Sequence, residues 1–206
     1  MIPLDNLYYP HKKTFSQICF SKLLTLLGWS TDVQIPNLPK FLIVGAPHTS
    51  NWDFLYFFLF TKAVGIQIGF ICKDDLFWWP LGIILKKLGG IPVNRRTRTN
   101  FVDQIADAFN RSSQLILLIT PEGTRRKSAY WKSGFYYIAH KANIPILLGY
   151  IDYPNKQLGT GSLFYTTGNI HEDFKIVQKF YVGKTGKYPD NQGPVQLNPS
   201  VEQIYI

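Results

Sequence analysis

Apolar positions fall in short continuous runs with helical stretches between them, and this alternation predicts most of the architecture. Residues 41–46 and 115–119 are unbroken apolar runs of buried-strand length, and residues 66–72, 91–94 and 144–151 read as three further strands. The stretches between them carry helix signals. One helix opens at Ser50, where Asp53 three residues on makes a capping-box-like start, and runs to about Val64. Others span residues 81–88, halted by Gly89 and Gly90, then 99–110 and 134–142. Strands alternating with helices predict an α/β fold, a single domain with a central, mostly parallel sheet flanked by helices.

The two ends look different from this middle. Phe15, Ile18, Cys19, Leu23, Leu26 and Leu27 recur at helical spacing and stop at Gly28. They define an amphipathic helix over residues 14–28, beside Lys12, Lys13 and Lys22. Its apolar face either docks on the chain's own core or lies on an anionic leaflet. Residues 152–206 turn rich in Gly, Pro, Asn and Thr, with one helix at 172–182, and read as a covering segment. The closest approach to a membrane span, residues 54–71, is interrupted by Thr61, Lys62, Gly65, Gln67 and Gly69, short of the ~20 apolar residues a bilayer requires. The 206 residues therefore read as one domain, with a motif-bearing core at 41–150.

Composition narrows the partners. Lys and Arg total 22 against 13 Asp and Glu, a net charge of +9, so anionic partners are expected. With 46% hydrophobic and 16% aromatic residues, a membrane surface suits the chain better than nucleic acid. Cys19 and Cys72 make no disulfide framework, which fits a reducing cytoplasm. Pro3 and Asp5 stand where a signal peptide would be basic, so secretion is not expected. Peripheral attachment at the cytoplasmic face of a membrane is the resulting expectation.

Three charged strings follow predicted strand ends, where ligands gather in open α/β sheets. His48-Thr49-Ser50-Asn51-Trp52-Asp53 puts an imidazole five positions before a carboxylate. On a helix that spacing separates two side chains by about 140°, so His48 must sit on the preceding loop and turn back for Asp53 to orient its ring. Asn94-Arg95-Arg96 is the second string. Pro121-Glu122-Gly123-Thr124-Arg125 is the third, continued by Arg126, Lys127 and Lys132. Guanidinium groups from the last two strings could clamp a phosphate monoester. Each string also has a plainer reading, as a helix cap, a rim histidine or solvated charge. No G-x-S-x-G elbow and no H-E-x-x-H string is present, so neither a nucleophilic serine nor a metal is expected. Gly183-Lys184-Thr185 lacks the rest of a phosphate-binding loop.

The His48-x4-Asp53 string followed by Pro121-Glu122-Gly123-Thr124-Arg125 closely resembles the glycerolipid acyltransferase family that includes the 1-acylglycerol-3-phosphate (lysophosphatidic acid) acyltransferases. Gly90-Ile91-Pro92-Val93-Asn94-Arg95 is similar to the family's intermediate block, and Ile144-Pro145-Ile146 to its last. The resemblance runs from about Phe41 to Gly149. It implies a glycerol-3-phosphate acyltransferase-like fold, His48 as general base and Asp53 as its orienting partner. The acyl donor would be acyl-CoA or an acyl-carrier protein, with no bound cofactor, and the acceptor a lysophospholipid or glycerol phosphate. Arg95, Glu122, Gly123, Thr124 and Arg125 would border the acceptor, with Thr49, Asn51 and Lys73 also in reach. Backbone N–H groups at the start of the helix after His48 would face the oxyanion, and apolar residues between Phe54 and Leu85 the acyl chain. Three positions depart from the family pattern: Thr120 for an aromatic, Arg126 for a small residue and Asn94 for an acid. They keep a non-phosphate lyso-lipid acceptor as an alternative, beside a non-catalytic lipid-binding or nucleic-acid-binding protein.

Overall fold

A computed structural model describes residues 13–93 and 101–201, apart from the side chains of residues 72 and 73. Its centre is a seven-stranded sheet of β1 (Ser30–Asp32), β2 (Lys40–Ala46), β3 (Gly69–Lys73), β4 (Gly90–Val93), β5 (Leu115–Ile119), β6 (Ile146–Asp152) and β7 (Gln157–Phe164). The strand order is β1-β7-β6-β2-β5-β3-β4. Pairing is parallel except between β6 and β7. The helices are α1 (Phe15–Leu26), α2 (Trp52–Val64), α3 (Leu81–Lys87), α4 (Phe101–Arg111), α5 (Gly134–Ala142) and α6 (Ile170–Tyr181).

Successive strand side chains point to opposite faces, so each apolar run feeds two cores. In β2, Phe41 and Ile43 join Ile35, Ile68, Ile116 and Leu147 on one face. Leu42 and Val44 join Leu117, Ile146, Leu148 and the α5 residues Phe135 and Ile138 on the other. Tyr181, at the end of α6, is fully enclosed, and its hydroxyl donates to the carbonyls of Val44 and Gly149 at 2.7 and 2.8 Å, bracing β2 against β6.

The mostly parallel α/β sheet agrees with expectation, and differences lie at the periphery. Two of the predicted strands begin later than expected, at Gly69 and Ile146. The segment after Asp152 does more than cover, because β7 extends the sheet and α6 packs on β6 and β7. The N-terminal helix docks on α2 through a different face from the one its periodicity marked. Leu24 is 1% exposed and Gln17 is buried, whereas Phe15 and Leu26 are 83% and 84% exposed. Gln17 completes a capping box with Thr14, and its Nε2 also donates to the Val64 carbonyl at 2.9 Å, tying α1 to the end of α2.

Candidate active site

β2 and β5 lie side by side with Val44 opposite Ile119, so both chains leave the sheet at the same level. Pro47 and His48 therefore emerge next to Pro121 and Glu122, and the His48 N–H donates to Glu122 Oε1 at 2.9 Å. The other neighbour of β2 is β6, with Ala46 opposite Tyr150. Three residues further along that strand, Tyr153 reaches the same region from the opposite side. The site thus forms at the carboxyl ends of three adjacent strands, the common ligand position in such sheets.

The loop after β2 turns back on itself as the five-residue spacing requires. His48 Nδ1 lies 3.0 Å from Asp53 Oδ2. The same oxygen accepts the N–H groups of Thr49 and Ser50, each at 2.9 Å, and Oδ1 accepts the Tyr153 hydroxyl at 2.7 Å. Asp53 contacts both the imidazole and the N–H groups of the loop. It takes the Ser50 N–H as a capping residue does, although the reciprocal half of the box is missing: Ser50 Oγ bonds the Trp52 N–H, and Asn51 occupies the helix boundary. A carboxylate only accepts hydrogen bonds, so Nδ1 is the donor in this contact, and the neutral imidazole so held has its lone pair on Nε2. The His48 side chain is 25% exposed and lines a cleft of about 1500 Å³, leaving Nε2 for a ligand.

Glu122 lies behind the cleft wall rather than on it. Burial pushes its carboxyl above the usual range, against the lowering effect of the His48 backbone N–H, and Oε2 has no hydrogen-bond partner among the described residues. Gly123 turns the chain with φ +64°, and the Lys132 side chain lies where a β-carbon at Gly123 would stand. Lys132 is anchored to the same turn by its N–H to the Pro121 carbonyl. Thr124, Arg125, Arg126 and Lys132 are exposed and line the cleft, forming a cationic lip. Thr124 Oγ1 accepts the Arg126 N–H at 3.2 Å.

Of the other expected site residues, Asn51 lines the cleft with an exposed side chain, while Thr49 is buried and its Oγ1 accepts the Tyr188 N–H at 3.1 Å. Lys73 ends β3, its side chain outside the described residues, as is all of Arg95. The N–H groups of His48, Thr49, Ser50 and Trp52 are already bonded within the protein, because Asp53, Ser50 and Glu122 fold the loop around themselves.

Two features had no sequence reading. Tyr153 belongs to an Asp-Tyr-Pro string after a strand end, the same signal that marked the other strings. The strap Thr185–Tyr188 crosses beside the site. The Tyr153 N–H donates to the Thr185 carbonyl at 3.0 Å, the Thr185 N–H to Asp152 Oδ1 at 3.1 Å, and Lys187 Nζ stands 4.6 Å from the Trp52 ring.

The fold is an open, mostly parallel α/β sheet that carries a histidine-carboxylate pair and a cationic lip at the carboxyl ends of its central strands. The Acyltransferase family profile matches residues 31–149, more than half of the chain, and the chain belongs to that family. It is 29% identical over 140 residues to a 1-acyl-sn-glycerol-3-phosphate acyltransferase of Streptococcus pneumoniae, a match that covers 61% of this chain and 50% of that one. The chain thus spans about half the length of this curated relative. In structure it is similar to the 1-acyl-sn-glycerophosphate (LPA) acyltransferase PlsC from Thermotoga maritima, with a TM-score of 0.54 at 18% identity, covering 80% of this chain and 74% of the other. At that identity the likeness speaks for the fold.

Proposed function

We propose that this chain moves a fatty acyl group from an acyl thioester, acyl-CoA or acyl-carrier protein, to a hydroxyl of a lysophospholipid or glycerol phosphate. The observation that carries the reading is the His48 Nδ1 to Asp53 Oδ2 contact of 3.0 Å at the wall of a cleft that also holds Arg125. In this reading His48 Nε2 takes the proton of the acceptor hydroxyl as its oxygen attacks the thioester carbonyl. The new C–O bond forms, the C–S bond breaks, and the departing thiolate recovers the proton from His48. A thiolate leaves readily, so no acyl-enzyme is required. Arg125 and Lys132 supply positive charge for the acceptor phosphate. Ile43, Phe57, Phe60, Ile68 and Leu118, which line the same cleft, provide apolar surface for the acyl chain.

Peripheral attachment at the cytoplasmic membrane face belongs to the same proposal. It rests on the net charge of +9 and on exposed apolar side chains, Phe15 and Leu26 on α1 and Trp52, Phe54 and Leu76 at the cleft. No helix among the described residues is long and apolar enough to cross a membrane.

The test is transfer of labelled acyl groups from both donor types to lysophosphatidic acid and to monoacylglycerol. The expected result is turnover that His48→Ala lowers by about 10²–10⁴-fold. Arg125→Ala should raise KM for the phosphate acceptor about tenfold and leave the neutral one unchanged. Little change in KM on Arg125→Ala would point to a non-phosphate acceptor, and no transfer from either donor would end the reading.

A further inference from the structure

The proposed mechanism leaves one close partner of the dyad without a task. Tyr153 lies beyond the residues matched by the family profile, in the turn after β6, and its hydroxyl donates to Asp53 Oδ1 at 2.7 Å. The half-buried tyrosine is itself held by ring and backbone contacts. Its ring meets Trp29 edge-on at 5.1 Å and Tyr56 at 6.0 Å, and Lys187 Nζ stands 6.0 Å from its centre. Its backbone is pinned at both ends, by the N–H to the Thr185 carbonyl and by the carbonyl to the Lys156 N–H at 3.1 Å. These contacts fix where the phenol stands when it meets the carboxylate.

We infer that Tyr153 is a positioning residue for the acyl transfer proposed above: it fixes the Asp53 carboxylate so that Oδ2 stays on His48 Nδ1. A carboxylate can rotate about its Cβ–Cγ bond and exchange its two oxygens. With Oδ1 held by a phenol, only Oδ2 can face the imidazole, and the backbone N–H groups of Thr49 and Ser50 hold that oxygen from behind. Oδ2 thus has three donors and Oδ1 one. Every donor faces an acceptor-only group, so the arrangement has a single proton assignment. Burial, and then the Asp53 carboxylate, push the Tyr153 phenol far above its usual range, so it remains a donor throughout the working range. The groups facing this hydroxyl are Asp53 and Tyr56 from α2 and Lys187 and Tyr188 from the strap. Only Asp53 makes a hydrogen bond to it among the described residues.

The inference rests on the acyl-transfer reading for its kinetic consequence but not for its structural one, and the test separates the two. Tyr153→Phe keeps the ring contacts and removes one oxygen. Without its lock the carboxylate samples other rotations, which lowers the fraction of His48 in the productive tautomer and leaves the acceptor lip untouched. The expected result is a fall in kcat of about tenfold with KM for both substrates changed by no more than about twofold. In an Asp53→Asn background the same substitution should cost nothing further, because Tyr153 acts only through that carboxylate. ¹⁵N NMR of His48 should give one Nδ1–H tautomer in the unaltered protein and a mixture in Tyr153→Phe. Full multiplication of the two kinetic losses, an unchanged kcat, or an unchanged tautomer would overturn the inference. If the unaltered protein acylates no acceptor, the reading above fails while the NMR arm still decides the role of Tyr153.

Discussion

The backbone N–H of His48 donates to Glu122 Oε1 at 2.9 Å, across 74 residues of chain. The bond joins the turn that presents Arg125 to the loop that presents the imidazole, so the two halves of the cleft share one anchor. It exists because β2 and β5 are parallel neighbours in a register that ends both at one level. Tyr153 does the same from the β6 side.

Glu122 should therefore show itself in the pH dependence of stability. Its carboxyl sits above the value of 4.5 that it has when exposed, chiefly through burial. A group with a raised pKa in the folded state contributes stability that is complete below its unfolded value and is lost as pH rises through its folded value. Glu122→Gln keeps an acceptor for the His48 N–H and removes the ionisation. The stability of this variant relative to the unaltered protein should be level below about pH 4.5 and increase above it, as read by urea unfolding across pH. A pH-independent difference would show that Glu122 does not titrate abnormally.

Asp53 is expected to separate stability from catalysis. Asp53→Asn retains a carbonyl for the buried N–H groups but cannot hold the imidazole proton as a carboxylate does, and kcat should fall by about 10²–10⁴-fold with little loss of fold. Asp53→Ala leaves two buried N–H groups and the Tyr153 hydroxyl without partners, at a cost of about 2–5 kcal/mol in chemical denaturation. A cost below about 1 kcal/mol would mean that water reaches these groups freely.

The strap beside the site is fitted to Thr49. A β-carbon at Gly186 would lie 2.6 Å from Thr49 Oγ1 and 2.7 Å from its Cγ2, and Thr49 is too enclosed to retreat. Gly186→Ala should cost about 1–3 kcal/mol by overpacking. Adding Thr49→Ala removes both obstructing atoms and should recover much of that loss. Simple addition of the two costs in thermal unfolding would refute the contact.

The exposed face of α1 predicts a split between folding and attachment. Phe15 and Leu26 support no core, so replacing both with Glu should change stability by no more than about 0.5 kcal/mol per site. Binding to vesicles containing anionic lipid should nevertheless drop about tenfold or more in co-flotation, through lost apolar burial and added like charge. Unchanged binding would place the membrane contact elsewhere.

Where local pattern and tertiary role coincide, the sequence was readable. The strands at 41–46 and 115–119 are apolar throughout because both of their faces are buried, and their boundaries come within one residue of β2 and β5. His48 and Asp53 could be paired because a strand-to-helix bend is written locally in the chain. The elements that were missed lack such a pattern. β1 is three exposed residues, and β7 carries Gly159, where a β-carbon would strike the Tyr150 ring, so its glycines reflect a neighbour's bulk rather than a turn. Which face of α1 docks was not legible, because hydrophobicity marks what avoids water, not what it avoids water against.

Composition and local periodicity thus determine the alternating elements, the cationic character and the two strings that meet at the cleft, since each depends on residues close together in the chain. Strand order and register decide the rest: that Glu122 holds His48, that Tyr153 holds Asp53, and that Thr49 meets the strap at Tyr188. These contacts span from 74 to 139 residues of chain. Their partners are chosen by which strands lie adjacent and where each one ends, and no local spacing encodes that choice.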